Sequence, residues 1–173
     1  DQDFVPKIID KNKQVISEET AYQITSILEG VIKRGTGKKL RTLKVPLAGK
    51  TGTTNKNFDA WFIGFTSDLA IGVYIGYDEP KSLGKFETGS KAALPIFKEF
   101  IERALYKEDI NTFKSPSNIY FFPIDYKTGE YVSFTNKKAI IEAFKEKTVQ
   151  DIKVKNLSIG ENYGKYNKFR RFY

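Results

Sequence analysis

A short run around Lys50 combines the residue types that bind anions. It reads Leu47-Ala48-Gly49-Lys50-Thr51-Gly52-Thr53-Thr54-Asn55. A Gly beside a cationic Lys lets a ligand approach the backbone, and Thr hydroxyls together with backbone N–H groups can then hold a carboxylate or a developing oxyanion. The run therefore predicts an anion-binding rim on an extended chain.

A phosphate-binding P-loop is the other interpretation of Gly49-Lys50-Thr51. That motif needs a second Gly five residues earlier, and position 44 is Lys44. The residues before Lys50 also read as a strand rather than as a glycine-rich loop. The P-loop interpretation therefore fails.

Composition limits the chemistry further. The 173 residues include no Cys and no His, which excludes disulfides, thiolate nucleophiles, Cys/His zinc sites and a Ser-His-Asp triad. Acid–base chemistry must use Lys, Tyr, Asp or Glu, and we expect no metal and no cofactor. With 40% hydrophobic residues, the chain can form one packed domain or one piece of a larger domain.

Periodicity gives the elements that would position Lys50. Apolar residues at helical spacing predict helices at 17–34 and 91–106, and three apolar runs predict consecutive antiparallel strands at 44–54, 58–66 and 69–78, with Lys50 on an outer strand. Both faces of the middle strand are apolar, so we expect helices on both faces of this sheet. A second hairpin is predicted from 119–124 and 131–134, followed by a short helix at 139–145. This order is that of an α+β fold.

No stretch approaches the roughly 20 apolar residues of a membrane span, and no signal-peptide pattern opens the chain. The start, Asp1-Gln2-Asp3, contains no Met and predicts a cut or processed end. The last segment, 151–173, holds six basic and two acidic residues among aromatic ones. We expect a weakly ordered, solvated tail there and no nucleic-acid partner, although such a composition also suits anionic lipid or cell-wall polymer.

The sequence Lys50-Thr51-Gly52-Thr53 and its context resemble the class A penicillin-binding proteins, which are bifunctional glycosyltransferase/transpeptidases. The likeness extends over about residues 14–147 and follows the family's order and spacing in segments 23–37, 48–54, 59–66, 72–78 and 92–96. It implies a partial penicillin-binding/serine β-lactamase-like fold. Residues 1–106 would be the C-terminal part of the transpeptidase domain, with the linker, hairpin and short helix of 107–150 packed on it.

The activity that the resemblance implies is D,D-transpeptidation, in which an active-site Ser is acylated by the D-Ala-D-Ala end of a peptidoglycan stem peptide. Lys50 would support proton transfer and attract the substrate carboxylate. Thr51 and Thr53 would hydrogen-bond that carboxylate, and Gly52 would leave room for it. The Thr53 backbone N–H would form half of the oxyanion hole. β-Lactams would bind at the same place, and the whole protein would be anchored at the periplasmic face of the bacterial inner membrane.

The chain departs from the family pattern at the nucleophile. The family's S-x-x-K and S-x-N motifs precede Lys-Thr-Gly, but Ser17 and Ser26 are followed at plus three by Thr20 and Glu29, and S-x-N is absent. We therefore expect the Ser in an N-terminal part of the same protein and predict that this chain alone is inactive. The alternative is a non-catalytic remnant or a binding module for cell-wall material or a partner protein.

Three other features complete the expectations. Ser82-Leu83-Gly84-Lys85 fits S-x-x-K, but it follows Lys-Thr-Gly in a Pro/Gly-rich segment and is interpreted as a loop. Trp61 is interpreted as a core side chain rather than as a brace for the site, and Asp59 as a residue at the entry to a strand. The edge of the third strand would pair with strands outside this chain, so the chain is expected to self-associate through that edge.

Overall fold

The computed structural model describes residues 13–105, 110–146 and 148, and the tail predicted at 151–173 lies outside them. The α+β class is confirmed. In chain order the elements are α1 (Glu18–Arg34), a 3-10 helix (Lys38–Leu43), β1 (Ala48–Thr53), a 3-10 turn (Asn55–Asn57), β2 (Ala60–Phe65), β3 (Ala70–Ile75), α2 (Ala93–Ala104), β4 (Ile119–Asp125) and β5 (Ala139–Lys145).

The first three strands form the predicted antiparallel sheet in the order β1-β2-β3. Lys50 lies opposite Ile63, and Phe62 lies opposite Val73. β1 begins later than the predicted position 44 because Lys38–Leu43 forms a 3-10 helix. Lys44 then adopts a left-handed conformation with φ of 54° and turns the chain into the strand.

Helix α1 starts and ends as its sequence predicts. The Ser17 side chain accepts a hydrogen bond from the Thr20 N–H, and Glu18 and Glu19 occupy the first turn, where the helix dipole favours negative charge. At the other end the N–H groups of Gly35 and Gly37 both donate to the Val31 carbonyl at 3.0 Å. This compact ending carries the chain back toward β1.

Both helices pack on one face of the sheet. A single buried cluster joins α1, α2 and the inward-facing side chain of β2, namely Ile32, Leu40, Leu47, Phe62, Ala93, Leu94, Phe97 and Ile101. Burial alternates along β2, so Trp61 and Ile63 point to the opposite face and are 39% and 54% exposed. The sequence predicts helices on both faces of this sheet, but among the described residues α1 and α2 cover only one. Apolar side chains predict that a face is buried; they do not identify the segment that covers it.

The second sheet pairs β4 with β5 in antiparallel register, Ile119 opposite Lys145. The helix predicted at 139–145 is therefore wrong, and so is the second strand predicted at 131–134, where Tyr131 makes only an isolated bridge to Ile124. The β-branched pair Ile140-Ile141 favours a strand, and the Phe144 and Phe122 rings meet edge to face across the sheet with centroids 6.1 Å apart. A hairpin with a long connection results.

This hairpin is docked on α1 by side-chain contacts. Arg34 pairs with Glu142, the Gln23 amide donates to the Ala143 carbonyl at 3.0 Å, and Asn118 donates to Glu19. Burial raises the pKa of Glu142, although Arg34 opposes that shift. Hydrogen bonds from Ser17 and Asn118 lower the pKa of Glu19 to about 2.

Among the described residues, no helix is both long and apolar enough to cross a membrane.

Candidate active site

Lys50 lies on β1, an edge strand whose only partner among the described residues is β2. Its side chain is exposed, and its ammonium donates a hydrogen bond of 2.8 Å to the carbonyl of Thr51. The prediction that Lys50 lies on an outer strand is confirmed. No helix begins at Lys50, so the structure also supports the rejection of a P-loop.

The backbone of β1 presents free polar groups on its outer edge. Thr54 donates its N–H to the Asp59 carbonyl at 3.1 Å, so this pair occupies a hydrogen-bonded position of the ladder. Hydrogen-bonded and non-hydrogen-bonded pairs alternate along an antiparallel ladder. The Thr53–Ala60 and Thr51–Phe62 pairs are therefore non-hydrogen-bonded. The Thr53 N–H and the Thr51 carbonyl consequently point away from β2, toward the side on which Lys50 Nζ lies.

The two Thr hydroxyls are each held by a different neighbour. The hydroxyls of Thr51 and Thr36 share a hydrogen bond of 2.9 Å, and Thr36 lies in the compact ending of α1. The Thr53 hydroxyl accepts the N–H of Gly89 at 3.0 Å, and Gly89 lies in the loop between β3 and α2. Each hydroxyl keeps further hydrogen-bonding capacity. The end of α1 and the loop before α2 thus fix the two side chains that flank Gly52.

Gly52 is enclosed from both sides of the sheet. A Cβ on Gly52 would lie 3.1 Å from Cβ of Trp61, its partner in the ladder. A Cβ on Gly89 would lie 2.5 Å from the Gly52 carbonyl oxygen and closer still to that of Trp61. The absence of side chains at Gly52 and Gly89 lets the loop rest directly on the β1–β2 backbone.

The turn between β1 and β2 is linked to β3 through an acidic side chain. Asp59 donates its N–H to the Thr54 hydroxyl at 2.8 Å and accepts the Tyr74 hydroxyl at 3.0 Å. This hydrogen bond raises the pKa of Tyr74. The Trp61 and Tyr74 rings lie 4.6 Å apart on the open face of the sheet. Asp59 enters β2 as expected, whereas the interpretation of Trp61 as a core residue is wrong because its side chain is 39% exposed.

Ser82 and Lys85 lie in the β3–α2 loop and not on a helix. The Ser82 hydroxyl donates to the Lys56 carbonyl at 2.9 Å and accepts the Gly84 N–H at 3.2 Å. The Lys85 ammonium lies 5.7 Å from the centroid of the Phe86 ring. These contacts support the interpretation of this S-x-x-K match as a loop.

A cleft of about 530 Å³ lies elsewhere, between α1, the segment leading into β1, and the β4–β5 sheet. Its walls do not include Lys50, Thr51, Gly52 or Thr53. The part of the chain that the structure describes also contains no cluster of acidic side chains arranged to hold a metal ion. The cleft is therefore separate from the outer edge of β1 that carries Lys50.

The sequence predicted the strand that carries Lys50 but not the two residues that hold its Thr side chains, Thr36 and Gly89. Thr36 could have been found from the sequence, since Gly35-Thr36-Gly37 is part of the segment that resembles the family. Gly89 could not, because its role depends on a contact with Thr53, 36 residues earlier in the chain.

Comparison with known proteins gives concordant matches. The model of the penicillin-binding protein transpeptidase domain matches residues 4–102. Penicillin-binding protein 1A of Rickettsia prowazekii is 45% identical over 79% of this chain, and penicillin-binding protein 1A of Pseudomonas aeruginosa is 42% identical over 77%. The chain covers 17% and 16% of the lengths of these two relatives.

A solved structure agrees with the sequence matches. The crystal structure of penicillin-binding protein 1A from Haemophilus influenzae superposes with a TM-score of 0.67 at 31% identity. The likeness covers 76% of this chain and 21% of that chain.

Proposed function

Because this chain belongs to the penicillin-binding protein transpeptidase family, we propose that it forms one wall of a D,D-transpeptidase active site that crosslinks peptidoglycan. The observation that carries the proposal is the outer edge of β1, where Lys50 Nζ, the Thr51 carbonyl and the Thr53 N–H lie side by side. An ammonium and an outward N–H on one edge are suited to a carboxylate and a developing oxyanion.

Each residue of this wall has a role that matches its geometry. Lys50 attracts the substrate carboxylate and supports proton transfer at the nucleophile. Thr51 and Thr53 offer their hydroxyls to that carboxylate, while Gly52 keeps the strand free of side-chain bulk. The Thr53 N–H supplies one of the two oxyanion donors when the acyl carbonyl is attacked.

The nucleophile comes from a different part of the protein. The Ser residues that precede Lys50, Ser17 and Ser26, lie before and on α1, and neither is followed by Lys at plus three. We propose that an upstream part of the same protein supplies S-x-x-K and S-x-N and docks on the open face of the sheet, where Trp61, Ile63 and Tyr74 are exposed. By itself the chain is then inactive, and its open β3 edge favours self-association.

The substrates follow from the same assignment. The complete site acts on the D-Ala-D-Ala end of stem peptides. The Ser oxygen attacks the carbonyl and the terminal D-Ala leaves. An amine on a neighbouring peptidoglycan strand then takes the acyl group. β-Lactams acylate the same Ser. The whole protein works on the extracytoplasmic side of the bacterial inner membrane, anchored by a segment outside this chain.

Covalent labelling with a penicillin tests this division of roles. One sample is the chain alone. The other, called here the joined protein, carries this chain after the upstream part of the Pseudomonas aeruginosa relative, in place of that relative's own matching segment. Intact-mass measurement should find no adduct on the chain alone and one adduct per joined protein, because only an activated Ser opens the lactam.

Peptide mapping identifies the labelled residue. The adduct should lie on the upstream Ser. An adduct on Ser82 in the chain alone, or a joined protein that folds without becoming labelled, would overturn the proposal.

A further inference from the structure

The strand that carries Lys50 ends in a turn that is held by the loop between β3 and α2. We propose that Asn57 is a positioning residue of the site: through this loop it fixes the end of β1 and thereby the direction of the Thr53 N–H. The inference rests on the proposed function, since it assigns a support to that function's oxyanion donor.

Asn57 and Thr53 of the β1–β2 region form hydrogen bonds with the loop. The Asn57 amide nitrogen donates to the carbonyls of Gly84 and Lys85, at 2.9 and 3.0 Å. The Asn57 carbonyl accepts the Leu83 N–H at 2.8 Å. Together with the bond from Gly89 to Thr53, these contacts bind the middle of the loop to the turn and its later part to the end of β1.

The turn adopts a conformation that needs such support. Lys56 and Asn57 have φ of 58° and 55°, so two consecutive non-Gly residues lie in the left-handed region. Asn tolerates this region better than most residues, but Lys does not. Because the conformation is unfavourable for Lys56, the contacts of Asn57 with the loop are what select it.

The loop transmits this constraint to the active strand at Gly89. Its N–H is bonded to the Thr53 hydroxyl, and its backbone lies against Gly52 too closely for a side chain at this position. A shift of the loop therefore moves Gly52 and Thr53, and with them the outward-pointing Thr53 N–H. A displacement of about 1 Å is enough to lower a catalytic rate by about 100-fold.

Asn57→Asp is the test, because Asp has the same shape and also tolerates a left-handed conformation but cannot donate to the two carbonyls. Asn55→Asp is the matched control: it adds the same charge in the same turn, at an exposed side chain. In the chain alone, hydrogen exchange reports on the amides of Leu83 and Gly89. In Asn57→Asp we expect exchange of these two amides at least about tenfold faster, because the loosened loop no longer holds them against their acceptors. In Asn55→Asp we expect no change.

In the joined protein, the acylation rate constant and the noncovalent dissociation constant for a penicillin are measured separately. Asn57→Asp should lower the rate constant about 10- to 100-fold and change the dissociation constant much less, because the oxyanion develops only when the acyl carbonyl is attacked. The melting temperature is measured alongside, to separate misplacement from loss of folded protein.

The outcomes separate the inference from the function. An unchanged rate constant in Asn57→Asp, or an equal fall in Asn55→Asp, overturns the inference, and so does a fall that only follows the folded fraction. If Lys50→Ala abolishes acylation while Asn57→Asp does not affect it, the proposed function stands and this inference alone is wrong. If Lys50→Ala is acylated normally, both are wrong.

Discussion

The two faces of the β1–β2–β3 sheet are made of similar residues and have different surroundings. On one face Phe62 is 0% exposed and packs against Phe97 of α2, with ring centroids 4.7 Å apart. On the other face Trp61, Ile63 and Tyr74 are 39%, 54% and 50% exposed. The side chains on both faces are large and apolar, but the described residues cover only one of the two faces.

This difference shows which face of the sheet the described residues cover and which face they leave exposed. Apolar side chains of this size on a folded sheet mark a contact surface when nothing in the chain covers them. The strand with Lys50 borders the open face. We propose that the covered face holds this strand in place and that the open face receives the remainder of the domain. The predictions below test this contrast, beginning with the covered face.

The largest effect is expected for Phe97→Ala. Removing this buried ring leaves a cavity beside Phe62, and the free energy of unfolding should fall by about 3–5 kcal/mol. Denaturant unfolding followed by circular dichroism measures the change. Phe97→Leu, which keeps most of the volume, supplies a milder variant if the Ala variant does not fold.

Phe100→Ala is the control for that result. It lies one turn further along the same helix, where its side chain is 47% exposed, and the loss should stay below about 1 kcal/mol. Equal losses of unfolding free energy for the two variants would show that the buried side of α2 contributes no more to stability than its exposed side.

An intermediate effect is expected from a matched pair of substitutions to Thr on the two faces. Val73→Thr puts a hydroxyl on the covered face and should cost about 1–2 kcal/mol of unfolding free energy. Ile63→Thr changes the open face and should cost less than about 0.5 kcal/mol in the chain alone. A greater loss of stability from Ile63→Thr than from Val73→Thr would contradict the contrast.

The smallest effect concerns the anchoring of α1, which helps to cover the closed face. The pKa of Glu19, about 2 in the folded chain, lies below its ordinary value of 4.5, so this carboxylate stabilises the fold above about pH 4.5. That contribution is lost as the pH falls from about 5 to 2. Asn118→Ala should raise the pKa of Glu19 and make the acid dependence of stability shallower.

Carboxyl titration by NMR measures this pKa directly. Asn111→Ala, at an exposed position in the same segment, should leave it unchanged. A Glu19 pKa that is the same with and without Asn118 would exclude the hydrogen bond as its cause.

The features that the sequence predicted depend on local pattern. Ser17, the acidic first turn and the Gly residues after Arg34 place α1 within one residue, and the continuous apolar run of 60–65 places β2. The Lys-Thr-Gly-Thr run lies within the first of the three apolar runs that predict the sheet, so its strand was also predicted.

The features that it missed depend on contacts between distant segments. Segment 139–145 has an apolar spacing compatible with a short helix, and pairing with β4 makes it a strand. Trp61 reads as core because a strand pattern does not show which face the chain itself covers. Asn57 and Gly89 carry no local signal, since their contacts form only where the β3–α2 loop packs against the β1–β2 region.

The central claim, that Lys50 completes a penicillin-reactive site whose Ser is supplied by another part of the protein, is tested most directly by the acylation rate of the joined protein. Lys50→Ala should lower that rate about 100-fold or more, as expected when a preorganised charged group is removed from a transition state. Lys39→Ala, at an exposed position in the 3-10 helix, should react at the unmodified rate. A folded Lys50→Ala protein that is acylated as fast as the Lys39→Ala protein would contradict the claim.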